Sequence, residues 1–218
     1  AVLAECLPPV ILGLPFRKTM RWRDLAVEYA RPLQWLVCLL GEEVVPLQVG
    51  DLTGGRTTRG HRTLAGDRRA ELASATDYEA VMQQLHVEPD PAVRQERIEA
   101  QAAAALAGLQ DGAALRPDPA LLQEVVFLCE QPTVFLGRYA AESFALPPEV
   151  IVTALKEHQR YFAVTDAAGA LLPAFVAVRD GGRDHLDTVR QGNERVLRAR
   201  LADALFYWQF DQRRSPDD

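Results

Sequence analysis

The stretch Tyr161-Phe162-Ala163-Val164-Thr165-Asp166-Ala167-Ala168-Gly169-Ala170-Leu171-Leu172-Pro173-Ala174-Phe175-Val176-Ala177-Val178 decides the fold class. Two runs rich in β-branched and aromatic residues, 161–165 and 171–178, flank Asp166-Ala167-Ala168-Gly169, a turn signal that folds them back as a hairpin. Just upstream, Pro147-Pro148 opens a helical period through Val150, Val152 and Leu155 to His158. Proline suits that first turn, because no helical N–H is missed there. Helices interleaved with antiparallel hairpins, and no βαβ rhythm, favour α+β over a doubly wound parallel sheet.

Outward from this hairpin, Thr133–Leu136 reads as a short strand and Leu121–Glu130 as a helix ended by Pro132. Residues 77–86 and 91–109 are predicted helices separated by Pro89 and Pro91. In the second, Val93, Ile98, Ala102, Ala105, Leu106 and Leu109 form the periodic face, while Arg94, Gln95, Arg97 and Glu99 point elsewhere. Leu33–Leu40 and Val44–Val49 flank Gly41-Glu42-Glu43, and a second hairpin is the simplest reading. The expected sheet is mixed or antiparallel, built from 33–49, 133–136 and 161–178 with helices on its flanks. Residues 1–14 are an amphipathic or irregular opening, interrupted by Pro8-Pro9 and stopped by Gly13 and Pro15. The whole, 1–218, is read as one α+β domain, with 1–22 as an opening segment and 180–218 as the start of a helical region.

Two arginine-rich stretches carry the candidate chemistry. In Gly192–Ala204 and beyond, Leu197, Leu201, Ala204, Leu205 and Trp208 follow the spacing of one buried helical face. Arg195 and Arg198 fall on one flank of that stripe and Arg200 on the other. Clustered arginines suit planar recognition of phosphate or carboxylate. The other reading is that they pair with Glu194, Asp203 or acidic neighbours.

The second stretch, Thr53–Arg62, is expected to be a loop in which glycines admit close backbone approach and Arg56, Arg59, His61 and Arg62 face phosphate. It lacks the Gly-Lys-Ser/Thr of a P-loop. Its structural alternative is a solvated turn with His61 packed on the sheet. His158, Gln159 and Arg160 beside Tyr161 form a further candidate patch for single-stranded RNA. Against this, His158 at a helix C-terminus is suited to capping the last carbonyls.

Composition narrows the classes. Of 218 residues, 48% are hydrophobic and 25% charged, with a net charge of -6. An acidic chain does not bind nucleic acid through overall charge, so RNA contact requires local basic patches, and DNA is not expected as a partner. No run reaches the roughly 20 apolar residues of a membrane span. Cys6, Cys38 and Cys129 are scattered in apolar contexts, which predicts buried, reduced thiols and a cytoplasmic setting. No zinc spacing is present, Asp184-His185-Leu186-Asp187 reads as a surface loop, and no metal or catalytic residue is assigned. Ser74, Ser143 and Ser215 lack a nucleophile turn. Ala1 and the polar Ser215-Pro216-Asp217-Asp218 read as cuts in a longer protein.

The motifs resemble the beta subunit of bacterial-type glycyl-tRNA synthetase. They run in order as LPFRKTMRW (14–22), RPLQWLVCLLG (31–41), GGRTTRGHR (54–62), HQRYFAV (158–164), LLPAFVAV (171–178), and GNERVLRARLADA (192–204) followed by FYWQFD (206–211). Departures are Gln34 for a histidine, Thr63 for an aromatic, and Arg179 for an amide-bearing residue.

The resemblance implies an alpha2beta2 tetramer in which the alpha subunit holds ATP, Mg2+ and glycine, while the beta chain contributes tRNA recognition and subunit assembly. It implies an architecture like the editing-type domain of the phenylalanyl-tRNA synthetase beta chain. No cofactor is expected within these residues, and the fragment alone is expected to be inactive. Two other roles stand beside this one: hydrolytic editing of mischarged tRNA through His61 or His158, and a purely structural bridge.

Overall fold

The computed structural model describes residues 2–24 and 26–212, so the polar ending Ser215–Asp218 lies outside the described residues. The chain is α+β and packs as two compact units, Ala1–Pro89 and Asp90–Asp218.

The second unit is built on a four-stranded antiparallel sheet. Its strands are β10 (Ala114–Leu115), β11 (Pro132–Arg138), β12 (Phe162–Thr165) and β13 (Leu171–Asp180), in the spatial order β10-β12-β13-β11. The hairpin expected at 161–178 is the β12–β13 pair. Its turn closes through the Asp166 N–H donating to the Ala170 carbonyl at 2.9 Å, while the Asp166 carboxylate accepts from the amides of Ala168 and Ala170. Gly169 supplies the left-handed φ of 84° that this reversal needs.

Both faces of the sheet are covered, which is why its strands read as nearly continuous apolar runs. On one face Val134, Phe162, Val164 and Val176 pack with Ile98, Ala102 and Leu106 of α3 (Pro91–Leu106) and Leu121 and Val125 of α4 (Pro119–Leu128). On the other, Phe135, Ala163 and Phe175 pack with Ile151 and Leu155 of α5 (Pro148–Gln159) and Leu197 and Leu201 of α6 (Leu186–Asp211). The alternation 134/135, 162/163 and 175/176 is the period-2 geometry of a strand. The expected stripe on the arginine helix is the one that packs: Ala204, Leu205 and Trp208 extend the contact of Leu197 and Leu201.

The first unit contains α1 (Val2–Leu12), β1 (Met20–Arg21), β2 (Glu28–Tyr29), β3 (Leu36–Val37), β4 (Leu39–Leu40), β5 (Glu43–Val44), β6 (Gln48–Val49), β7 (Leu52–Gly55), β8 (Thr57–Arg59), β9 (Arg69–Glu71) and α2 (Tyr78–Gln84). The expected hairpin at 41–43 exists as β4–β5, turning through Gly41 at φ 59°.

Three expectations are corrected here. Residues 33–49 do not join the strands of 133–136 and 161–178, because their short strands find nearer partners: β3 runs parallel to β7, and β6 antiparallel to β7. Residues 1–14 are not interrupted at Pro8-Pro9. The helix continues to Leu12, and the Gly13 N–H donates to the Pro9 carbonyl at 2.9 Å. No residue of α1 is buried, so Cys6 is exposed, Cys38 is half-buried, and Cys129 alone of the three is buried. Burial first, then the charge of Asp180, pushes the Cys129 thiol up to about 11 against a weaker opposing pull from Arg94. Among the described residues, no helix is long and apolar enough to cross a membrane.

Candidate RNA-contacting face

The stretch 53–62 is not a loop. Residues 52–55 and 57–59 are strands, with Arg56 between them. Arg56 is turned inward: its guanidinium donates to the carbonyls of Glu42 at 2.9 Å and Leu72 at 3.0 Å. A cation shared between main-chain oxygens is a clamp that joins three segments of the unit. Phosphate contact would require breaking it.

His61 is also buried, 3% exposed. Its Nδ1 accepts from the Thr63 and Leu64 amides at 3.2 and 3.3 Å, and its own amide donates to the Leu85 carbonyl. The ring caps the turn leading out of β8.

Arg62 is exposed and Arg59 is half-buried. Strand β8 pairs antiparallel with β9 in the register Thr57 to Glu71, Thr58 to Ala70 and Arg59 to Arg69. Directly opposed residues share a face of a sheet, so Arg59 and Arg69 place like charges side by side, an arrangement that destabilises a ribbon. The Arg59 guanidinium also lies 5.3 Å from the centre of the Trp35 ring. Residues 56–69 carry five arginines against one aspartate, a basic stretch on an acidic chain. Arg62 is exposed, and neither Arg62 nor Arg69 makes an ion pair among the described residues.

In the second unit, the three candidates at the end of α5 separate. Arg160 takes the left-handed conformation at φ 56° that reverses the chain, and the Tyr161 amide then reaches the Leu155 carbonyl at 3.0 Å. Its guanidinium donates to the Lys156 carbonyl at 3.1 Å, to the Glu157 carbonyl, and to Glu124 at 2.6 Å. Arg160, rather than His158, therefore closes the helix end.

Gln159 accepts from the Tyr161 hydroxyl, which also donates to Asn193 of α6. Tyr161 itself is buried and stacked on Phe175 at 4.5 Å, so it offers no ring to a base. Burial pushes its phenol up to about 12. His158 is exposed and lines a groove of about 470 Å³ with Arg200, Glu149, Asp203 and Tyr207.

On α6, Asn193 and Glu194 face the fold: Asn193 donates to the Val189 carbonyl, and Glu194 accepts from the Arg138 amide at 2.9 Å. Arg195, Arg198 and Arg200 are exposed, and among the described residues none pairs with Glu194 or Asp203. Two basic surfaces result, one on the β8–β9 ribbon and one on α6. Sequence reading missed Trp35 and Arg69 as members of the first. Their signal lies in the pairing of β8 with β9, which a loop reading of 53–62 conceals. Arg94, expected on an outward face, is buried and donates to the Val126 carbonyl at 3.0 Å.

Comparison with known proteins covers the whole chain. Residues 1–218 match the family described as glycyl-tRNA synthetase beta subunit. The chain is similar to the glycine–tRNA ligase beta subunit of Syntrophotalea carbinolica, 42% identical over 97% of this chain and 30% of the relative. It is 44% identical to the corresponding subunit of Lactiplantibacillus plantarum over 98% of this chain and 30% of the relative. The Bacillus subtilis subunit is 42% identical, again over 97% and 30%. The chain thus covers about 30% of the length of these relatives.

Proposed function

Because the chain belongs to the glycyl-tRNA synthetase beta subunit family, we propose that it supplies a tRNA-contacting and assembly segment to the ATP-dependent attachment of glycine to its tRNA. The reaction is carried by the complex with an alpha subunit, as an alpha2beta2 tetramer whose alpha chain holds ATP and Mg2+. This segment by itself does not ligate. The observation that carries the reading is the Arg59–Arg69 pair: two like charges held in register, with no internal carboxylate on Arg69 among the described residues. Such a pair costs stability in the free protein and is relieved by a polyanion. Arg62 extends this face, and Arg195, Arg198 and Arg200 form the second.

The test compares arginines of different placement in the alpha–beta complex. Arg59→Ala, Arg69→Ala and Arg195→Ala are each expected to weaken tRNA binding and to flatten the plot of log affinity against log salt by roughly 0.7–0.9. Arg56→Ala and Arg160→Ala, which remove clamps, are expected to lower stability and leave that slope unchanged. Equal slopes for all five variants would overturn the assignment.

A second reading is hydrolysis of mischarged tRNA, which rests on the editing-type architecture that the family resemblance implies. The observation favouring it is the exposed His158 sharing a groove with Arg200. Deacylation of alanyl-tRNA that disappears in His158→Ala would support it. Absence of deacylation by the wild-type complex removes it.

A further inference from the structure

We propose that the groove beside Trp35 in the first unit is a slot for one unpaired RNA base, a proposal that rests on the reading of the β8–β9 ribbon as an RNA-contacting face. The groove measures about 420 Å³ and is lined by Trp35, Val37, Leu39, Thr58, Leu72 and Tyr78. Its floor is finished protein interior, since Leu72 and Thr58 are 1% and 2% exposed. Its rim holds two large rings left partly in water, Trp35 at 41% and Tyr78 at 38%. A fold that buries Leu72 beneath them has apolar surface to cover, and these rings remain outside.

Charge selects the occupant. An apolar peptide would fill the groove but would leave the charge of Arg59, which lies over the Trp35 ring, without a counter-charge. A nucleotide brings a planar π face for Trp35 or Tyr78 and a phosphate for Arg59, in the combination by which proteins hold single strands. The Arg59 guanidinium, 5.3 Å from the Trp35 ring centre, joins the two halves of this arrangement in one contact. At the floor, the Thr58 hydroxyl is turned into the fold, 3.5 Å from the Met82 sulfur and 3.4 Å from the Arg59 carbonyl. Stacking supplies affinity for any base.

The experiment uses the full-length subunit in complex with its alpha partner, with glycine tRNA and a short unpaired oligoribonucleotide as probes. Trp35→Ala is expected to weaken oligonucleotide binding roughly 5- to 100-fold, the range of one lost base stack, with the salt slope unchanged. Trp35→Phe is expected to retain most of the affinity. A probe with an abasic sugar at the responsive position is expected to bind wild type and Trp35→Ala alike.

Photocrosslinking of 4-thiouridine RNA to the unmodified complex is expected at Trp35 or Tyr78, which tests the slot without any variant that must fold. If Arg59→Ala and Arg69→Ala flatten the salt slope while Trp35→Ala leaves affinity unchanged, the slot is wrong and the RNA face stands. If none of the three alters binding, the RNA face fails and the slot with it. Crosslinks confined to other segments, or burial of Trp35 by the alpha subunit before RNA is added, would overturn the slot.

Discussion

In the second unit, β11 and β13 run in register for seven residue pairs, from Pro132–Asp180 to Arg138–Ala174, and helices cover both faces. In the first unit, no strand among the described residues exceeds four residues, and the pieces are joined by side chains that reach across to backbone. Arg56 bridges Glu42 and Leu72, His61 holds the turn after β8, and the Ser74 amide donates to Asp77. A long ladder lets apolar packing fix the backbone. Short ladders leave that work to directed polar contacts, and some of the same residue types then stand free to meet a ligand. The difference teaches that arginine count is a poor guide to binding in the first unit, where Arg56 and Arg59 lie three residues apart, both half-buried, yet one holds main-chain carbonyls and the other lies over Trp35.

The comparison breaks most sharply at Phe175, which is fully buried in the second unit. Phe175→Ala is expected to cost about 3–5 kcal/mol in urea unfolding, monitored on the second unit. A loss under about 1 kcal/mol would mean that the ladder, not the packing on it, holds this unit.

In the first unit, the counterpart is Arg56→Ala. Removing a clamp from partly buried carbonyls is expected to cost about 1–3 kcal/mol. Hydrogen exchange should rise at the Leu72 amide, which donates to the Arg56 carbonyl at 3.0 Å, and stay unchanged in β11 and β13. Uniform acceleration across both units would dissolve the distinction between them.

Two pH limits sharpen it further. Burial raises the Asp118 carboxyl, but the Lys156 ammonium at 2.6 Å and the Leu121 amide outweigh that effect and hold it below its ordinary 3.8. Its stabilisation is complete above the unfolded value and is lost as pH falls through the lower folded value. Asp118→Asn should therefore remove part of the acid sensitivity of the second unit. Tyr161 acts at the other end: its phenol is raised from 10.0 to about 12, so its contribution is complete below pH 10.0 and drains away as pH rises toward 12. Tyr161→Phe should flatten that alkaline loss.

The smallest effect is expected on the outer face of α6. Arg195→Ala and Arg198→Ala should shift stability by no more than about 0.5 kcal/mol, since neither side chain is engaged within the unit. A larger loss by thermal unfolding would move these arginines from the surface set to the clamp set.

The second unit was legible where contacts are local and periodic. The β12–β13 hairpin announces itself in Asp166–Gly169, and the packed stripe of α6 in Leu197, Leu201 and Trp208, because both signals repeat within a few residues. The β8–β9 ribbon was hidden, since Arg59 and Arg69 meet across nine intervening residues and the glycines and threonines between Thr53 and Gly60 mimic a loop. The role of Arg160 depends on a left-handed turn and on Glu124, 36 residues away, neither of which any spacing records. At the candidate site, arginine identity could be read from sequence, while inward or outward placement could not.

Gly137 lies opposite Phe175 in the β11–β13 ladder, and a Cβ added there would stand 2.2 Å from the ring tip. The ring occupies the space a side chain at 137 would need, and its other face is taken by Tyr161. Positions 137 and 175 therefore behave as one heritable character. A side chain can appear at the first only after the second has shrunk, and each intermediate passes through a weakened protein. Descent through this family is expected to leave the pair locked together long after the surface around it has drifted.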